Sequence, residues 1–147
     1  MKVLRLQKPM LNSMYTAQLD FQQLELTDLT TFDSAFLRGW RTRVKEHLDW
    51  VYTMLRPRIC LVCGEPFNVW DMHEGIVTRG DTRGWPRPRQ LLIMCALNCI
   101  PLHHTCHLDS PPKRELVWES QCDFYGEEPV RAWYEGLPWK VGPPRRF

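Results

Sequence analysis

Apolar residues Leu37, Trp40, Val44, Leu48, Val51 and Leu55 recur three and four positions apart. That spacing lays one apolar stripe along a helix, predicted here over residues 34–55. Asp33 or Ser34 can cap its start. Pro57 stops it, because the residue before a proline avoids helical dihedrals. Gly39 inside it costs roughly 1 kcal/mol relative to alanine. Residues 1–31 show no clear period and read as an extended arm with short local structure. "NVWDMHEGIV" (68–77) suits a strand, "TRGDTRGWPRPRQ" (78–90) a loop, and "LLIMCALNCIPLH" (91–103) a buried strand or two short ones. Pro111 and Pro112 then break the chain. Pro112 suits the first turn of the next helix, with Ser110 or a neighbour as its cap. "KRELVWESQCDFY" reads as a helix ended by Gly126, and "EPVRAWYEGL" as another with Val130, Trp133, Tyr134 and Leu137 on one side. The tail is irregular, and no internal repeat is present.

The chain of 147 residues fits one domain with an appended helical layer. Seven tryptophans point to a real core with some contact surface, and twelve prolines to long irregular stretches. A net charge of +2 assigns any nucleic-acid affinity to a local patch. Arg38, Arg41, Arg43 and Lys45 lie off the apolar stripe of the first helix. They read as a solvated face, with phosphate contact as the alternative. The first residues lack the apolar run of a signal peptide, and no segment approaches the roughly 20 apolar residues of a membrane span. The expected location is therefore cytoplasmic. In that reducing setting six cysteines read as metal ligands and buried thiols rather than disulfides.

Cys60-Leu-Val-Cys63-Gly64 is a knuckle: two thiolates two residues apart can grip one zinc ion, and the glycine lets the turn close. Buried thiols or a redox pair are the competing readings of this pair alone. A second pair at the same spacing, His103 and Cys106, completes a three-thiolate, one-imidazole set. His104 is an alternative to His103 with poorer spacing to Cys106. Cys95 and Cys99 lie in an apolar stretch and read as buried thiols, and Cys122 as helix packing.

In this order the residues resemble the HNH nuclease family, whose active site is a ββα-metal motif. The resemblance runs over residues 59–109, about a third of the chain. It rests on Cys60 and Cys63, on "DMHEGIV" around His73, and on "NCIPLHHTCH", which matches asparagine, apolar strand, ligand, two residues, cysteine, histidine. What it implies is a small zinc-stapled ββα-metal core flanked by α-helices, an α+β fold, and DNA cleavage. The expected organisation is an N-terminal arm and packing helix over 1–57, the core over 58–110, and C-terminal helices and tail over 111–147.

The resemblance also implies roles. Cys60, Cys63, His103 and Cys106 would hold a structural zinc. His73 and His107 would hold a catalytic divalent ion such as Mg2+, Mn2+ or Zn2+, to polarise the phosphate and bind the leaving oxygen. Asn98 would bond across the loop and fix the strand carrying His73, and Asp71 or Asn98 would orient the ligands. Where the family commonly has His-His or Asp-His, this chain has Met72-His73-Glu74. One register makes His73 a ligand and Glu74 the base. The other makes His73 the base and leaves Met72, a poor ligand for a hard cation, in the ligand position. Apart from the resemblance, Arg79, Arg83, Arg87 and Arg89 would lie along a DNA backbone with Trp85 in a groove; the alternative is a solvated loop with Trp85 packed on the core.

The expected function is a metal-dependent DNA endonuclease or nickase. The alternative is a zinc-stabilised nucleic-acid-binding module without activity, which Glu74 in the base position favours. A third reading is an assembly protein using its tryptophan-rich helices as a partner surface. Compact nucleases resembling this family are often encoded by phages and mobile elements. That context gives DNA-processing proteins as expected partners and the host cytoplasm as the location; no membrane partner is expected.

Overall fold

The apolar stripe of the first predicted helix becomes helix α1, Ser34–Met54, in a computed structural model that describes residues 34–144. The arm over 1–31, the Asp33 cap and the last three residues of the tail lie outside the described residues. Trp40, Leu48 and Val51 of the stripe are buried, while Leu37, Val44 and Leu55 are half-buried. Tyr52, which the stripe omits, is buried against Phe67, ring centroids 5.9 Å apart. Leu55 N–H still donates to Val51 O, and the chain then leaves at Pro57.

The strands are shorter than the sequence pattern predicts. β1 is Asp71–Glu74 and β2 is Cys99–Leu102, antiparallel, pairing Asp71 with Leu102 and Glu74 with Cys99. β1 ends at Glu74, and Gly75 follows where a Cβ would sit 2.5 Å from the Val117 side chain, so the position has no room for one. Beyond it, the Ile76 and Val77 amides donate to the Asn98 side chain rather than to a strand.

Of the buried apolar run over 91–103, expected as one strand or two short ones, only Cys99–Leu102 is a strand; the preceding part is not. It is part of a 3-10 helix, Arg87–Ile93, followed by a turn into β2. Prolines at positions 86 and 88 open that helix, where a missing N–H costs nothing. An apolar run this short has no period that separates helix from strand. A second 3-10 turn, Arg79–Thr82, lies within the stretch read as loop.

Helix α2, His104–Asp109, follows β2 after one residue. Helix α3 is Arg114–Tyr125 and α4 is Glu127–Glu135, divided at Gly126, whose φ of +96° suits glycine. Pro111 and Pro112 precede α3 rather than joining its first turn; Lys113 stands at its N-cap. Val130, Trp133, Tyr134 and Leu137 are all buried, as their spacing predicts. The fold is α+β: a two-stranded hairpin with helices around it.

The helices are tied to the central segment by side-chain donors. Trp40 Nε1 of α1 donates to Met94 O at 2.9 Å, and Trp133 Nε1 of α4 to Leu92 O at 3.2 Å. Fully buried Gln121 of α3 donates to Ala96 O and Leu97 O at 2.9 and 3.0 Å, while its Oε1 accepts from Arg56 Nη1 at 2.7 Å. Arg56 lies over the rings of Tyr52 and Phe124, at 4.7 and 4.5 Å from their centroids. Among the described residues, no helix is long and apolar enough to cross a membrane.

Candidate metal centre

A tight turn builds the first half of the cysteine cluster. Cys60 N–H donates to Glu65 O and Gly64 N–H to Cys60 O, both at 2.9 Å, and Gly64 takes φ +75°. The turn therefore needs the glycine that follows Cys63. The second half comes from the junction of β2 and α2, which carries His103 and Cys106. One ligand atom from each of Cys60, Cys63, His103 and Cys106 lies within 4.8 Å of every other. A tetrahedral zinc with Zn–S near 2.3 Å has ligand edges of about 3.8 Å, so a small contraction closes the set on an ion. It is the one group of three or more such ligands among the described residues.

His103 is prepared for this role. Its Nε2 lies 2.9 Å from Pro66 O, which can only accept, so the proton sits on Nε2. Nδ1 is then free to coordinate, 3.3 Å from Cys63 Sγ. His104, the alternative ligand, turns away to Asp71. Burial works to raise the Cys60 thiol, but the backbone N–H groups of Cys63, His103 and Val62 and the His103 ring outweigh it and hold it at about 6. Burial and the neighbouring Cys63 and Cys60 sulfurs push Cys106 up to about 11. One thiolate thus forms readily and opposes the next, and a bound cation removes that opposition. The cluster suits a metal ion such as zinc.

The remaining cysteines are elsewhere. Cys95 and Cys99 are buried, and burial pushes Cys95 up to about 12 and Cys99 well above its ordinary value. Half-buried Cys122 packs on the core.

Across the hairpin from the cluster lies an imidazole pair. Asp71 and His73 alternate onto the β1 face that meets α2. The His73 and His107 rings are 5.1 Å apart, centroid to centroid. Asp71 Oδ2 lies 2.6 Å from His104 Nδ1 and 3.1 Å from His107 Nδ1. Those two imidazole hydrogen bonds hold the Asp71 carboxyl below its ordinary range. The second of them engages His107 Nδ1 and leaves Nε2 as its other ring nitrogen. Burial, then the charge of His107, lowers His73 to about 4, which leaves a neutral ring able to coordinate.

Asn98 closes the loop between the strands. Its Oδ1 accepts from Ile76 N at 3.0 Å and Val77 N at 2.8 Å; its Nδ2 donates to Val77 O at 2.8 Å and Ile93 O at 2.7 Å. The side chain is fully buried and its hydrogen-bonding capacity is spent. Asn98 therefore pins the chain after β1 to the segment before β2.

Glu74 Oε1 accepts from Arg79 Nε at 3.3 Å, and no hydrogen bond or ion pair joins Glu74 to the imidazole pair. Arg79, Arg83 and Arg87 are exposed and Arg89 is half-buried. Trp85 is buried edge-on against Trp139, centroids 5.4 Å apart, which settles its role as packing rather than groove contact. The wall beside His107 comes from another source. A cleft of about 310 Å3 is lined by Asp71, Met72 and His107 together with Arg41, Thr42 and Lys45 of α1. Arg41 and Lys45 are exposed, as the solvated-face reading of α1 expects, and they also line this cleft. Gln121 and Arg56 carried no sequence signal. No protein-family model, curated protein or solved structure matches the chain.

Proposed function

We propose that the protein is a metal-dependent nuclease that hydrolyses DNA phosphodiester bonds at the His73–His107 pair, with a structural zinc in the Cys60, Cys63, His103 and Cys106 cluster. The observation that carries this reading is the pair itself. A hairpin and the helix after it hold two imidazoles 5.1 Å apart, one of them oriented by Asp71, beside a separate thiolate cluster.

His73 and His107 would hold a divalent cation such as Mg2+, Mn2+ or Zn2+, which when bound supplies Lewis-acid polarisation of the phosphate and charge neutralisation at the leaving oxygen. The chain does the rest. Asp71 keeps His107 from rotating, and Asn98 keeps the loop after β1 closed so that His73 stays in place. In the two registers the base for the attacking water is Glu74, which Arg79 pairs at the end of β1, or His73 itself.

The test is supercoiled plasmid incubated with purified protein, with and without added divalent metal. Conversion to the nicked form only with metal supports the nuclease. Binding without cleavage under every metal supports the second reading, a zinc-stabilised DNA-binding module. The Glu74–Arg79 ion pair favours that second reading, because it occupies the carboxylate that would serve as base.

A further inference from the structure

The cleft beside His107 has two walls of different origin. One is the β1–α2 face with Asp71, Met72 and His107; the other is one side of α1, with Arg41, Thr42 and Lys45. Positions 41, 42 and 45 share a helix face because they are separated by one, three and four residues on a 3.6-residue turn. Both cations are exposed, and among the described residues neither forms an ion pair. Lys45 is nonetheless placed: its Nζ lies 5.0 Å from the centroid of the buried Trp70 ring, one residue before β1. Trp70 in turn lies 3.4 Å from Asp49 Oδ1 through Nε1, fixing strand and helix together.

The acidic group facing this wall is Asp71, whose Oδ2 is engaged by His104 and His107. Asp49, one turn along α1 from Lys45, is paired with Arg58 at 2.9 Å. Among the described residues, the two α1 cations are therefore left without a paired carboxylate at the lip of the imidazole site. The arginines of the 78–90 loop do not line this cleft.

We propose that α1 is the DNA-backbone clamp of the site: Arg41 and Lys45 bind phosphates next to the one presented to His73 and His107. Arg41 offers a planar fork for two phosphate oxygens, Lys45 a point charge, and Thr42 a hydroxyl between them. The strand is held by its backbone, so the clamp acts on all sequences alike. This inference rests on the proposed DNA cleavage, and the two fail differently.

The experiment measures the affinity of metal-loaded protein for a duplex oligonucleotide by fluorescence anisotropy across a salt series, alongside plasmid nicking. In the Arg41→Gln, Lys45→Gln double variant the slope of log K against log salt should flatten by about 2, roughly 0.9 for each phosphate no longer neutralised. Affinity should fall at least tenfold at low salt, with the thermal midpoint unchanged. Lys45→Arg should keep the full wild-type slope. Arg43→Gln, on the other side of α1 where Arg43 lies over Trp40, should leave the slope as it was. An unchanged slope in the double variant of a wild-type protein that binds and nicks overturns the clamp and leaves the nuclease standing. Absence of both binding and nicking in the wild type overturns both.

Discussion

Asn98 is the residue on which the site geometry turns. Four short hydrogen bonds, to Ile76, Val77 and Ile93, are made by one fully buried amide. Asn98→Ala leaves those backbone groups buried and unpaired, each at a cost of about 1–3 kcal/mol before relaxation. A net loss of about 3 kcal/mol or more in urea titrations is expected; a loss under about 1 kcal/mol would show that the loop closes without it. His47 gives a separate, titratable case. Burial lowers its pKa, and its Nε2 is buried without a hydrogen-bond partner. Below about pH 6.5 the unfolded chain takes up a proton that folded His47 resists. The folded state therefore loses stability as pH falls through that window and keeps it fully above. His47→Leu should flatten the fall in stability between about pH 7 and pH 5, measured by denaturant titration at fixed zinc. An unaltered slope would assign the acid sensitivity elsewhere.

The elements around the site are individually too short to stand alone. Each strand of the hairpin has four residues and α2 has six. Isolated helices shorter than about 12 residues and isolated hairpins are marginal in water. The thiolate cluster supplies what they lack, joining the turn at Cys60–Cys63 to the start of α2 at His103 and Cys106. Purified protein should carry about one zinc ion per chain, and chelation should abolish cooperative unfolding. Cys63→Ser should lower both zinc content and thermal midpoint; a metal-free Cys63→Ser protein with the wild-type midpoint would remove the zinc assignment. These ligands were legible because coordination fixes their spacing in the sequence; Asn98 was legible only through the resemblance, which sets an asparagine before an apolar strand. The 3-10 segment at Arg87–Ile93 was not, since its apolar end, Leu91–Ile93, is wholly buried and too short to show a period. The resemblance offered Asp71 as a residue to orient the ligands, but its second bond, to His104, was not legible, because it depends on how hairpin and helix meet.

Across the whole molecule, α1, α3 and α4 serve the small core by reaching into one segment. Trp40, Gln121 and Trp133 donate to carbonyls of Met94, Ala96, Leu97 and Leu92, just before Asn98. Sequence periodicity showed that these helices exist and which faces they bury. It did not show that α1 turns Arg41 and Lys45 toward His107, because that follows from long-range packing. The central claim is that the imidazole pair, not the thiolate cluster, is the seat of chemistry. It is tested most directly by plasmid nicking with His107→Ala protein in added Mg2+ or Mn2+, with zinc content and DNA affinity measured on the same sample. His107 stands next to Cys106 but outside its ligand set. The expected result is full zinc content, DNA affinity within about threefold of wild type, and nicking reduced by roughly 100-fold or more. Nicking at the wild-type rate by the zinc-loaded variant would contradict it.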